Sequence, residues 1–319
     1  MQTLAAPTIT SPPPAAPTRA APGPATPSST PALAAYEALA PYYDVYTAGY
    51  AHERWLSEIE ALALGAGLRG RRVLDVACGT GKSFEPLLAR GYRVSACDLS
   101  PAMVAIAQAK AGPRASVFVA DMRALPDVGR FDLITCLDDS VNYLLIEPDV
   151  VAAFRSMRRL LARDGVLVFD VNTLATYRTV FAQAFEHEVG AVRFRWSGET
   201  PSHLREGGLA TARVAVEHAD GGRPADAPGR HVQRHYPRAV IERALAVAGL
   251  ECTAVLGQLR GARLEPHADE AVHTKFVYAA TAPGSTPRLA AGGSARARRV
   301  RPTPPASTSL RKHEPQEGR

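Results

Sequence analysis

The stretch Arg71–Ser83, RRVLDVACGTGKS, constrains the chain more than any other. Val73, Leu74 and Val76 make a short apolar run that enters a glycine turn, which reads as a buried strand leading into a helix. Gly79 and Gly81 carry no Cβ, so the backbone of the turn can come close to a ligand. Asp75 sits at the strand's end, four residues before the first glycine. A carboxylate there suits a ligand with a cationic or hydroxyl-rich part, because it would repel a phosphate. Two phosphate-binding patterns also fail in detail. A dinucleotide turn, G-x-G-x-x-G/A, needs a small third residue, and Phe84 stands there. A Walker loop needs a glycine five residues before Gly81, and Val76 stands there.

Strand-like and helical patterns alternate after this turn, as in a parallel sheet covered on both faces. Tyr92–Cys97 reads as a second strand closed by Asp98, and Val117–Ala120 as a third closed by Asp121. Phe131–Cys136 and Val166–Val171 are the fourth and fifth. Ser100 is placed to cap a helix opening at Pro101. Pro148 to about Arg163 reads as a helix with Val150, Phe154, Met157 and Leu161 on one face. Between Thr173 and Tyr236 lies an insertion whose alternation, at Val214, Val216 and His231–Tyr236, predicts antiparallel strands. A helix at Pro237–Ala248 and a hairpin of Cys252–Leu256 with Lys275–Ala280 complete the pattern. Upstream, residues 31–67 predict two helices broken near Pro41 and Gly49, crowded with Tyr36, Tyr43, Tyr46, Tyr50 and Trp55. Aromatics at that spacing serve either as core or as a lid. The predicted fold is α/β, with a Rossmann-like seven-stranded mixed sheet, helices on both faces, an N-terminal helical lid and an antiparallel cap inserted after strand 5.

Composition sets the boundaries. Residues 1–31 are rich in Pro, Ala, Ser and Thr and cannot bury enough apolar surface to offset their ordering entropy. Residues 283–319 read the same way, which leaves 32–282 as the folded domain, with the cap at about 173–236. The tail after Pro283 holds eight Lys/Arg and two Glu, which equals the formal charge of +6 for all 319 residues. The domain itself is then close to neutral, unlike most nucleic-acid enzymes. No secretory pattern and no run of about 20 apolar residues is present, so neither export nor a membrane partner is expected. The four cysteines, Cys78, Cys97, Cys136 and Cys252, are widely spaced, read as reduced and show no metal spacing, which fits a cytoplasmic protein.

In an open parallel sheet, ligands bind beyond the carboxyl ends of the strands. Asp75, Asp98 and Asp121 fall at three successive ends, so the fold sets them side by side. Asp98 can accept from two neighbouring hydroxyls through its two oxygens.

The run D-V-A-C-G-T-G at Asp75–Gly81 resembles motif I of the class I S-adenosylmethionine (SAM)-dependent methyltransferases. C-D-L-S-P-A-M at Cys97–Met103 is similar to the family's second motif, and Asp121-Met122 to its adenine site. The resemblance covers about Tyr36–Ala280. It implies SAM as cofactor, with Asp98 on the ribose hydroxyls, and Leu99 and Met103 near the adenosine. Asp121 would accept from the adenine amine while Met122 packs on the ring. Asp75 would reach the cofactor's ammonium, directly or through water, and Ala77, Gly79, Gly81 and Leu137 would line the same site. Y-D-x-x-Y at Tyr43–Tyr46 resembles the lid of small-molecule members, in which the first tyrosine approaches the methionine end.

Two segments are candidates for the methyl acceptor. The loop CLDDSVNYLL crowds Asp138, Asp139, Ser140, Asn142 and Tyr143. Sugar N,N-dimethyltransferases of similar architecture carry a histidine, in S-x-G-H-[ML], where Tyr143 stands. In HVQRHYP, strand alternation puts His231, Gln233 and His235 on one face. FDVNT adds Asp170, Asn172 and Thr173 beside the same cleft. The catalytic candidates are His235, Tyr143, Asp139 and His231. His235 leads as proton acceptor, since an ordinary imidazole titrates near neutrality. The expected activity is methyl transfer to an oxygen or nitrogen of a small molecule, by a monomer or homodimer, with no nucleic acid and no metal. The alternatives are an RNA or protein methyltransferase, or a SAM-binding protein without catalysis.

Overall fold

A computed structural model describes residues 31–218, 229–259 and 261–285. The chain divides into a body, Met1–Pro287, and a second unit, Arg288–Arg319, which lies outside the described residues. The expectations for 1–31 and 283–319 therefore fall almost wholly outside the described residues, except that Pro31 already opens the first helix.

The lid is α1 (Pro31–Leu39), the short α2 (Tyr43–Tyr46) and the start of α3 (His52–Gly65), whose body lies on a face of the main sheet. Strand β1 (Arg72–Val76), α4 (Glu85–Ala89), β2 (Arg93–Asp98), α5 (Pro101–Ala111), β3 (Ala115–Val119) and β4 (Phe131–Cys136) follow. Next come α6 (Glu147–Leu160), β5 (Leu161–Asn172) and α7 (Leu174–Thr179). The cap holds β6 (Ala184–Val189), β7 (Val192–Gly198), β8 (Leu209–His218) and β9 (Gly229–Arg234). The chain closes with α8 (Arg238–Val247), β10 (Glu251–Leu259), β11 (Arg263–Glu265) and β12 (Lys275–Thr281).

The main sheet has the order β11-β10-β12-β5-β4-β1-β2-β3. Strands β1 to β5 pair in parallel, while β12 runs antiparallel between β5 and β10. The seven expected strands are present, and the three-residue β11 makes an eighth at the edge. A run that short gives no period to read. Both faces of the sheet are covered. On one, Phe169 stacks on Tyr278 and meets Phe154 of α6. On the other, Trp55, Leu56 and Ile59 of α3 are fully buried against Val73, Leu133 and Val277. Each such large side chain contributes roughly 1.5–3 kcal/mol by leaving water.

Local signals fixed the helix starts. The Ser100 hydroxyl accepts from the Met103 N–H at 3.1 Å, one residue before Pro101. Helix α6 buries Val150, Phe154 and Met157 as expected, but it stops at Leu160 because Leu161 already pairs with Phe131 in the sheet. The insertion forms a four-stranded antiparallel sheet, β6-β7-β8-β9. Its inner face, Phe194, Val214 and Val216, packs on Leu39, with Tyr42, Tyr43 and Tyr46 beside it. Helix α1 passes so near β9 that a Cβ on Gly229 would lie 3.1 Å from Ala35 Cα. Lid and cap thereby roof the carboxyl end of the main sheet.

Candidate active site

The backbone after β1 turns through positive φ at Ala77, Gly79 and Gly81. A Cβ on Gly81 would meet the Phe84 ring at 2.8 Å, so the large third residue fills the space beside this glycine. The turn aims the Gly79 N–H at Asp98 Oδ2 (2.8 Å), and the Ser100 N–H donates to Oδ1 (2.9 Å). Burial pushes the Asp98 carboxyl up, and these backbone donors oppose the shift. Its remaining lone pairs are available to a cavity of about 320 Å³ between the sheet end and the lid. Ala77, Asp98, Leu99, Asp121 and Met122 are on its wall, with Leu33 and Tyr36 above. Asp121 is less free, because its two oxygens already accept from the Arg123 guanidinium and backbone N–H. Burial raises its pKa, but Arg123 outweighs burial and holds it below the usual range.

A narrower recess continues past Tyr43, Ala77, Gly79, Leu137 and Asp138. One well-held carboxylate, an apolar wall with a methionine, and a glycine turn leading to a recess fit the adenosyl and methionine parts of SAM. Three expected residues line none of these cavities. Asp75 is 1% exposed, and its oxygens accept from the Ser83 (2.5 Å) and Thr135 (2.6 Å) hydroxyls. Burial pushes its pKa up to about 7. Gly81 packs on Phe84, and Met103 is buried in α5.

A third cavity, about 700 Å³, opens between lid, cap and β12. Asp138 and Asp139 on its floor are both left-handed, with φ of 57° and 54°. Two such residues in succession are held because buried Asp170 accepts both N–H groups, at 2.8 and 2.5 Å. Lys275 Nζ lies 2.7 Å from Asp139, 3.3 Å from Asp170 and 3.7 Å from Asp138. Burial pushes Asp170 up to about 6 while Lys275 pulls it down. Gln233 donates to the other Asp139 oxygen (2.6 Å) and accepts from Tyr177 and Asn172.

On the facing wall, the Tyr36 hydroxyl donates to Tyr143 (3.0 Å), whose oxygen lies 2.9 Å from His231 Nδ1. His231 is 3% exposed, lines the cavity, and its Nε2 has no partner among the described residues. Burial pushes it down to about 4, so the ring is neutral at neutral pH. His235 corrects an expectation. It shares the face of His231 but lies one residue beyond the end of β9 and lines none of these cavities. It is fully buried, its Nδ1 accepts from the Gly207 N–H (3.1 Å), and its Nε2 lies 3.2 Å from Glu270. Alternation gave the right face but not the depth. The motif reading passed over Lys275, Tyr36 and His52, which no spacing ties to the cofactor turn.

The lid is tied to that turn. Thr80 donates to Asp44 (2.6 Å), which also pairs with Lys110. Lys82 reaches the Thr47 hydroxyl (2.9 Å) and carbonyl (3.1 Å), and a separate tie runs from Ser100, at the start of α5, to Glu37 of α1 (2.5 Å).

A family model for a methyltransferase domain matches residues 73–165. The chain is 35% identical over 167 residues to a protein of Geobacillus sp. (strain WCH70) named as a methyltransferase, covering 51% of this chain and 68% of the relative. It is 28% identical over 219 residues to the dTDP-3-amino-3,6-dideoxy-alpha-D-glucopyranose N,N-dimethyltransferase of Streptomyces fradiae, covering 66% of this chain and 83% of that one. A solved SAM-dependent methyltransferase from Clostridium acetobutylicum ATCC 824 shares the fold, with a TM-score of 0.65 at 24% identity over 76% of this chain and 96% of that one. The chain belongs to the class I SAM-dependent methyltransferases.

Proposed function

We propose that the protein transfers the methyl group of SAM to an oxygen or nitrogen of a small molecule held in the 700 Å³ cavity. One observation carries this reading. Tyr36, Tyr43, His52 and Asp138 line both the recess that fits the methionine end and the larger cavity. An acceptor there would face the transferable methyl across a shared wall, the proximity a displacement at carbon needs. When bound, SAM supplies an electrophilic methyl on a positively charged sulfur.

The rest falls to the chain. Asp98 accepts from the ribose hydroxyls, Met122 packs on the adenine, and Tyr43 covers the methionine end. Lid and cap exclude water. The unpartnered His231 Nε2, backed by Tyr143 and Tyr36, orients the acceptor's polar group. Asp139, fixed by Lys275 and Gln233, holds the opposite side. His235 braces β9 against Gly207 rather than touching the acceptor. The sugar methyltransferase relative supports a small acceptor, as does the near-neutral body. No helix among the described residues is long and apolar enough to cross a membrane. A cytoplasmic location is part of the proposal, resting on the free cysteines, and so is a monomeric or homodimeric state.

The test is calorimetry followed by transfer of labelled methyl. SAM and its demethylated product, S-adenosylhomocysteine, should bind, and label should enter small metabolites rather than RNA or protein. Tight binding of NAD with none of SAM would end this reading.

A further inference from the structure

We propose that the acceptor is a protonated amine on a bulky apolar body that carries no phosphate, and that Asp138 pairs with the ammonium and takes its proton. This rests on the methyl-transfer reading above. Asp138 is the carboxylate on the wall between the methionine recess and the acceptor cavity. Its side-chain oxygens make no hydrogen bond among the described residues, and its nearest cation, Lys275 Nζ, is 3.7 Å away. Lys275 is already shared with Asp139 and Asp170, so one ammonium faces three carboxylates. The floor of the cavity is therefore short of positive charge at the point where the nucleophile must sit.

The groups around Asp138 report the same field. Tyr43, Tyr50 and His52 face it from the lid, Lys275 from β12, and Asp139 and Asp170 from the floor. Burial and then Asp138 push the Tyr43 and Tyr50 phenols up. A hydroxyl acceptor that had to ionise would meet the same opposition, whereas an ammonium would be welcomed. The walls add Tyr46, Trp196, Phe181 and Phe185, ring faces and edges that favour a cation on an apolar body. Lys275 is the only Lys or Arg among the described residues of this cavity, and it is occupied. No free Arg or Lys among the described residues of this cavity offers a pyrophosphate its usual partner. The dTDP-linked substrate named for the Streptomyces relative therefore does not suit this cavity.

The chemistry balances. The ammonium gives one proton to the Asp138 carboxylate, helped by repulsion from the adjacent sulfonium. The amine lone pair then forms the N–CH₃ bond while the S–CH₃ bond breaks and its electron pair stays on sulfur, leaving S-adenosylhomocysteine. The proton on Asp138 passes to water at the cavity mouth.

The full-length protein, saturated with S-adenosylhomocysteine, is titrated with tryptamine, with its alcohol isostere tryptophol and with a dTDP-amino sugar. Tryptamine should bind at least about tenfold more tightly than tryptophol, the size of one charge-assisted hydrogen bond. In Asp138→Asn, which keeps a side chain tolerant of the left-handed backbone, that preference should vanish while S-adenosylhomocysteine affinity stays within about threefold. With labelled SAM, the amine and not the alcohol should be methylated. Equal binding of amine and alcohol, no binding of either, or preference for the nucleotide sugar overturns the proposal. So does a tenfold loss of S-adenosylhomocysteine affinity in the variant, which would assign Asp138 to the cofactor. Should the variant not fold, the wild-type comparison decides. Methylation of the alcohol or the nucleotide sugar would sink this inference and leave the methyltransferase reading standing.

Discussion

The Tyr143 hydroxyl lies 2.9 Å from His231 Nδ1, and the other ring nitrogen of that histidine is buried at the acceptor cavity without a partner. Burial pushes the phenol up and the imidazole down to about 4, so both groups are neutral at neutral pH. The pair is better suited to orienting an acceptor than to holding its proton.

Tyr143→Phe and His231→Gln should each lower turnover by roughly tenfold, with SAM affinity within a few-fold. That is less than the 10²–10⁴-fold cost typical of losing a general base. Steady-state kinetics on a verified acceptor decides; a thousandfold loss in His231→Gln would make it the base.

Three buried groups pull acid stability in opposite directions. His231 binds its proton at about 4 when folded and near 6.5 when unfolded, so the unfolded chain holds more protons between those values. Its contribution is lost as pH falls through that window. Asp75 titrates at about 7 when folded against 3.8 ordinarily, so the folded chain holds the extra proton and stability falls as pH rises. Asp170, raised to about 6, acts in the same sense as Asp75. Urea midpoints measured across this range should therefore slope more steeply downward with pH in His231→Gln than in the wild type. In Asp75→Asn they should tilt upward. Identical slopes in all three proteins would refute both assignments.

Asp98→Ala removes the acceptor proposed for two ribose hydroxyls and leaves the Gly79 and Ser100 N–H groups unpaired. Hydrogen bonds to a charged group are worth roughly 1.5–3 kcal/mol each, so SAM affinity should fall at least tenfold by calorimetry. Normal affinity would remove Asp98 from the cofactor site.

Asp170→Asn offers one acceptor where two backbone donors need pairing. One N–H of the Asp138–Asp139 turn would lose its acceptor beside the fully buried Asp170 position, at a cost of up to roughly 1–3 kcal/mol. A lower melting temperature and a larger loss in turnover than in SAM affinity are expected. An unchanged melting curve would show that the turn needs no clamp.

The sheet was legible because its signals are local and repeated. Each strand end carried its own punctuation, as with Asp98 followed by Ser100-Pro101. The cap was legible as an insertion. Within it β6 is mostly exposed and mixes Glu and His with few apolar residues, whereas β7 does carry a strand alternation at Val192, Phe194 and Trp196. Among the residues expected for the cofactor, Ala77, Asp98, Leu99, Asp121 and Met122 line the first cavity, while Asp75, Gly81 and Met103 line none of the three. Among those expected for the acceptor, Asp139, Tyr143 and His231 line the third cavity, but their partners there are far apart in the chain. Lys275 meets Asp139 across 136 positions, and Tyr36 meets Tyr143 across 107. Nothing in either neighbourhood announces the other.

Tyr36 borders all three cavities; its helix is tied through Glu37 to Ser100 at the start of α5, and α2 is tied to the cofactor turn by way of Asp44 and Lys82. The same lid that admits the cofactor is thus also a wall of the acceptor's chamber. A lid that opens to admit SAM takes a wall of the second chamber with it, so turnover should follow a compulsory sequence in which SAM enters first and S-adenosylhomocysteine leaves last. By calorimetry, an acceptor should then bind the protein saturated with S-adenosylhomocysteine but not the protein free of cofactor; equal binding to both would mean the lid leaves the two doors independent.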